Sequence, residues 1–166
     1  MSAAVLWTPL TLADMAAVER IAREIHPTLP ERMEVFSEKQ LLFPEGCFKF
    51  LFEGKMKGYA IAHPWKLYSI PPLDEFLGEL PLDVDCIYLH DVAVLSDARG
   101  HKAAEFFVEK ITAVALERGI KHLSCVSVYG TDVLWSRFGF KNATFDGAEG
   151  KMEGYGESAK YMIADL

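Results

Sequence analysis

Apolar residues recur every three to four positions after Thr11, placing Met15, Val18, Ile21 and Ala22 on one face. The pattern predicts an amphipathic helix running to Ile25, with Thr11 as its N-cap. Pro27 and Pro30 end it and open a second, shorter helix containing Met33, Phe36 and Leu41. Elsewhere the period shortens. Val5–Trp7, Cys47–Phe52 and Tyr59–His63 read as strands, the last two joined by a hairpin turn at Glu53-Gly54-Lys55. Cys86–Val94 is a nearly unbroken apolar run that predicts a strand buried on both faces, with His90 and Asp91 set into it. Gly100–Arg118 carries a helical stripe of Ala103, Phe107, Ile111 and Val114, closed by Gly119 as a cap. Leu123–Val128 predicts another strand and Thr131–Arg137 a short helix. Phe138-Gly139-Phe140 turns into a further strand, and Lys160–Ile163 forms the last.

Two stretches lack a period. Trp65–Leu82 carries Pro71, Pro72 and Pro81, and reads as a long loop with room for one helical turn. Such loops serve as lids or substrate walls as readily as they pack without a role. Asn142–Glu157 is rich in glycine and acids and reads as a flexible loop. The order of elements predicts an α/β fold with a central mixed sheet flanked by helices. The length of 166 residues favours a single domain over 1–166.

Composition narrows the class. Hydrophobic residues make up 51% and charged residues 25%, which predicts a globular chain. No apolar run reaches the roughly 20 residues of a membrane span, and no membrane partner is expected. The N-terminal stretch MSAAVLWTPLTLADM has neither the basic head nor the apolar length of a signal peptide. The net charge of −7 argues against a nucleic-acid partner. Cys47, Cys86 and Cys125 are far apart and lie in apolar stretches, as buried free thiols do, and a reducing cytoplasm fits them. No pair of histidines has metal-ligand spacing, so no metal is expected.

The candidate chemistry lies in Val92–Phe107, VAVLSDARGHKAAEFF, a strand end, a tight loop and a helix start. A helix start presents unpaired N–H groups and the positive end of a dipole, and Arg99 adds fixed charge. This suits a pyrophosphate-bearing ligand.

Together with the later Trp135-Ser136-Arg137-Phe138-Gly139-Phe140, this order of elements resembles the GNAT superfamily of N-acetyltransferases. The family's acetyl-CoA loop, Arg/Gln-x-x-Gly-x-Gly/Ala, corresponds to Arg99-Gly100-His101-Lys102-Ala103-Ala104, with Lys102 replacing the middle glycine. The strand LHDVAV resembles the family's fourth strand, and Leu134-Trp135 takes the place of its Phe-Tyr pair. The resemblance implies a cofactor site at Val92, Ala93, Val94, Arg99, Gly100, His101, Lys102, Ala103 and Ala104, with Trp135 against the CoA arm. If the Lys102 position demands positive φ, a lysine there carries strain.

The implied reaction is direct transfer of an acetyl group from acetyl-CoA to a primary amine, on a small molecule or a protein, in a ternary complex. The Val92 amide is the implied donor to the thioester oxygen. His90 and Asp91 are candidates to receive the amine proton, directly or through water. Strand alternation puts them on opposite faces, so one of the two is expected to face the substrate. Each also has a plain reading as a buried polar group satisfied by a hydrogen bond. Many family members protonate the thiolate with a tyrosine in the short helix. Trp135 stands there, and an indole is no useful acid, so Tyr129 is the candidate. The other histidines, His26, His63 and His122, carry less weight. The rival reading is a non-catalytic acyl-CoA-binding module with a degenerate form of this fold. A homodimer is compatible with the sequence.

Overall fold

The computed structural model describes residues 5–166; Met1–Ala4, where the N-terminal stretch begins, lie outside the described residues. A seven-stranded sheet runs in the order β1-β2-β3-β4-β5-β7-β6. Its strands are β1 (Val5–Pro9), β2 (Cys47–Phe52), β3 (Lys55–Trp65), β4 (Cys86–Val94), β5 (His122–Ser127), β6 (Phe140–Asn142) and β7 (Lys160–Asp165). The β4–β5 pair is parallel, and the other neighbours are antiparallel. The helices are α1 (Met15–Ile25), α2 (Met33–Leu42), α3 (Ala103–Glu117), α4 (Asp132–Ser136) and α5 (Ala148–Lys151).

Alternation along β3 sorts the core into two layers. Tyr59 and Ile61 face α1 and α2, packing with Met15, Val18, Ile21 and Phe36. Ala60 and Ala62 face the other side, with Phe107, Ile111 and Ala115 of α3. The α1 face is the one the sequence predicts. On α2 the buried residues are Val35, Phe36 and Lys39, whereas Leu41 is 65% exposed. On α3, Ala115 is buried where the sequence pointed to Val114, which packs at the edge. Gly119 at φ 71° ends α3, and the Ile120 N–H reaches back to Ala115 O at 2.9 Å.

The two aperiodic stretches differ from expectation. Residues 66–85 contain no helical turn. They are strapped instead by side chains from around α2: Glu38 accepts from the Leu77 and Gly78 amides, and Arg32 holds Asp74. Residues 142–157 are not simply a flexible loop. They form α5 and a following 3-10 turn, Glu153–Tyr155, whose buried Tyr155 donates to Pro71 O at 2.6 Å. Buried aromatic residues, not local periodicity, organise this segment. Cys47, Cys86 and Cys125 are buried free thiols. No helix among the described residues is long and apolar enough to cross a membrane.

Candidate active site

Two strands that pair and then part create the site. β4 and β5 are paired only where Ile87–Leu89 meets Leu123–Cys125; beyond that, β4 continues with β3 alone. The opening is a cleft of about 920 Å³. On its β4 wall, Val92, Ala93 and Val94 are register partners of Ala60, Tyr59 and Gly58. Gly58 permits that approach, since a Cβ there would lie 2.5 Å from Ala93 O.

At one end the cleft reaches the start of α3. The Trp7 indole N–H donates to Ala103 O at 2.8 Å and anchors this end of the helix. Lys102 precedes the helix with φ 58° and ψ 30°, a left-handed conformation that glycine adopts without the strain a β-carbon brings. The first hydrogen bond of α3 runs from Phe106 N–H to Lys102 O at 3.0 Å, so the amides before it have no intrahelical acceptor. Arg99, Gly100, Lys102, Ala103 and Ala104 all line the cleft. The Arg99 Nε–H donates to Val94 O at 3.1 Å, which ties the guanidinium to the end of β4. Between Gly100 and Lys102, the His101 ring packs on Phe52, with centroids 4.6 Å apart, and His101 itself does not line the cleft. Trp135 is buried against Phe138 and Phe140 and also lines the cleft.

At the other end lies a polar cluster. The register of β3 and β4 slips between Ile61 and Ala62, which leaves His90 as a bulge. The bulge cancels the alternation, so His90 and Asp91 both line the cleft on the α1–α2 side. This corrects the expectation of opposite faces. Asp91 Oδ1 lies 2.8 Å from His26 Nε2, and Asp91 Oδ2 accepts from the Tyr59 hydroxyl at 2.5 Å. His26 Nδ1 lies 2.9 Å from the Tyr129 hydroxyl, with the two rings stacked. Burial opposes charge on His26, yet the hydrogen bond and charge of Asp91 outweigh it and hold its pKa above the ordinary histidine value. Burial, with the Asp91 charge, raises the Tyr129 phenol, so Tyr129 keeps its proton at neutral pH.

His90 sits differently. Its side chain has no exposure, and Nε2 lies 3.0 Å from both oxygens of Glu31. Glu31 is buried too, which works against its charge, but His90 and the Asp74 amide draw its carboxyl down to about 2. The plain reading of His90, a buried group satisfied by a partner, fits this geometry better than contact with a substrate. Burial pushes His63, behind it, down to about 3.

Sequence reasoning singled out Asp91 and Tyr129 and gave little weight to His26, the histidine that joins them. A signal was present: Val18, Ala22 and His26 are spaced by four, so His26 continues the buried stripe of α1. Glu31, between Pro30 and Arg32, carried none.

A family model described as the acetyltransferase (GNAT) family matches residues 14–140. The chain belongs to the GNAT acetyltransferase family. Its fold is that of the family's solved structures. Ard1 from Thermoplasma volcanium aligns with a TM-score of 0.73 at 13% identity, covering 98% of each chain. The ribosomal-protein-S18-alanine N-acetyltransferase of Escherichia coli aligns at 0.68 and 20% identity, over 98% of this chain and 94% of that one. A GNAT-like decarboxylase, GphF, in complex with isobutyryl-CoA aligns at 0.75 and 16% identity, over 96% and 98%. No curated protein matches the chain by sequence. Within the GNAT family, then, the fold is shared with enzymes of differing chemistry, and the site's own residues must decide the reaction.

Proposed function

We propose that this GNAT chain, acting as one domain over its 166 residues, transfers the acetyl group of acetyl-CoA to a primary amine by direct attack in a ternary complex. One observation carries the reading. The cleft between the parted strands has a helix start with unpaired amides at one end and an Asp91–His26–Tyr129 chain at the other. A diphosphate fits the first, and proton transfer at a thioester fits the second.

The amides of Gly100–Ala104 and the Arg99 guanidinium take the diphosphate, with His101 contributing only its backbone. The backbone of Val92–Val94 takes the pantetheine arm as an added strand, and Trp135 packs against it. The Val92 amide donates to the thioester oxygen as charge builds there. Asp91 receives the amine proton through water, and Tyr129 gives its proton to the departing thiolate. His90 is paired with Glu31 at the bulge and does not touch substrate. Direct attack is favoured over an acyl-cysteine, because burial raises the Cys125 thiol and keeps it protonated. Ile25, Leu29 and Leu73 wall the acceptor side with apolar surface. That wall suits a primary amine carried on an apolar group, whether on a small molecule or a protein.

The test is calorimetric titration with acetyl-CoA, followed by thiol release across a panel of amines. Binding with amine-dependent thiol release supports the reading. Binding without release on any acceptor would instead make the protein an acyl-CoA-binding module.

A further inference from the structure

We propose that His26 is a positioning residue that restores the proton of Tyr129 after each transfer, with Asp91 fixing its ring. The inference rests on the acyl-transfer reading and adds a residue and a route to it. His26 follows α1 and is held at both nitrogens, by Asp91 Oδ1 at 2.8 Å and the Tyr129 hydroxyl at 2.9 Å. Its side chain is only 12% exposed and that of Asp91 9%, whereas Tyr129 is 51% exposed. Substrate therefore meets Tyr129, and His26 acts from behind it.

The surroundings favour a ring that carries both protons. Asp91 faces it from β4, Tyr129 from the loop after β5, and the Glu31 charge from the segment before α2. Tyr59 from β3 occupies the other Asp91 oxygen and keeps the carboxylate oriented. Tyr129 itself lies in a strained left-handed conformation, with φ at 57°, followed by Gly130 at 75°. A bulky residue in that conformation persists only where its surroundings demand it.

The proton account balances. The amine nitrogen attacks the thioester carbon, the C–N bond forms, and the C–S bond breaks with its electron pair on sulfur. Sulfur takes the phenolic proton of Tyr129. The Tyr129 oxygen takes the Nδ1 proton of His26, which becomes neutral and keeps its Nε2 proton on Asp91. The proton shed by the new amide nitrogen leaves through water on Asp91. Exposed Tyr129 then conducts a solvent proton back to His26.

The test compares wild type, His26→Gln, Tyr129→Phe and the double variant by thiol release from neutral to alkaline pH. In wild type, kcat falls as pH rises through the His26 ionisation. In His26→Gln, kcat drops at least roughly tenfold, KM for acetyl-CoA stays within about twofold, and the alkaline fall disappears. The double variant loses little beyond Tyr129→Phe, because the two residues act as a unit. Added imidazole restores turnover to His26→Ala. A Gln variant with wild-type kcat and pH profile would overturn the inference while leaving acyl transfer standing. No thiol release by wild type would remove both. Should the Gln variant not fold, ring-nitrogen NMR of wild type decides. His26 protonated at both nitrogens at neutral pH supports the proposal, and a neutral ring overturns it.

Discussion

Replacing Lys102 by glycine should stabilise the protein, while replacing it by alanine should not. Lys102 lies at φ 58° and ψ 30° immediately before α3. A residue with a β-carbon gives up about 1–2 kcal/mol there relative to the right-handed region. Glycine removes that cost but loosens the unfolded chain by about 0.4–1 kcal/mol. The net gain is about 0.5–1 kcal/mol, a rise of about 1–4 °C in Tm for a chain of this size. Alanine keeps the β-carbon and so keeps the strain; it should stay within about 0.5 kcal/mol of wild type. Urea unfolding of the three proteins, read by circular dichroism, gives the ordering directly. Both variants lack the ammonium group, so a contact between it and a CoA phosphate would lower CoA affinity in both alike. An alanine variant as stable as the glycine variant would refute the left-handed conformation and the reasoning built on it.

Other outcomes follow from burial and charge. The Glu31 carboxyl falls from 4.5 to about 2 on folding. Its contribution, on the order of 3 kcal/mol, is fully present above pH 4.5 and lost as pH falls toward about 2. Chemical unfolding at pH 7 and pH 3 should show about 2 kcal/mol of that loss in wild type and not in Glu31→Gln, which is less stable at pH 7; an equal acid loss in both would sink the assignment. Gly58→Ala should cost about 1–3 kcal/mol, because the new Cβ meets Ala93 O at 2.5 Å; a neutral effect on Tm would deny the close β3–β4 contact. Phe107→Ala empties a site with no exposure and should cost about 3–5 kcal/mol by denaturant titration. Arg99→Ala should weaken CoA binding more than His90→Ala does by calorimetry, and the reverse order would count against the loop as the diphosphate site.

Where hydrophobic periodicity is local, the sequence carries the fold. The α1 stripe, β4 over Cys86–Val94 and the Gly119 cap all follow from nearest-turn or alternating patterns. The loop proposed to take the diphosphate could be singled out for the same reason, since Arg99 to Ala104 is one continuous stretch. The chemical end was not. The β4 bulge depends on how Ile61 and Ala62 register against a strand more than twenty residues away, and nothing at His90 announces it. His26 and Glu31 reach the site through the break between α1 and α2, a path set by tertiary packing. Residues 66–85 and 142–157 owe their order to contacts such as Glu38 with Leu77 and Tyr155 with Pro71, which no local pattern encodes.

A crystal structure grown with CoA bears most directly on the central claim, that the opening between β4 and β5 seats an acyl donor. The account predicts the diphosphate within hydrogen-bonding distance of the Gly100–Ala104 amides and the sulfur in the fork beyond Leu89 and Cys125, on the Tyr129 side. CoA seated elsewhere on the molecule, or a fork left unoccupied at saturating CoA, would contradict it.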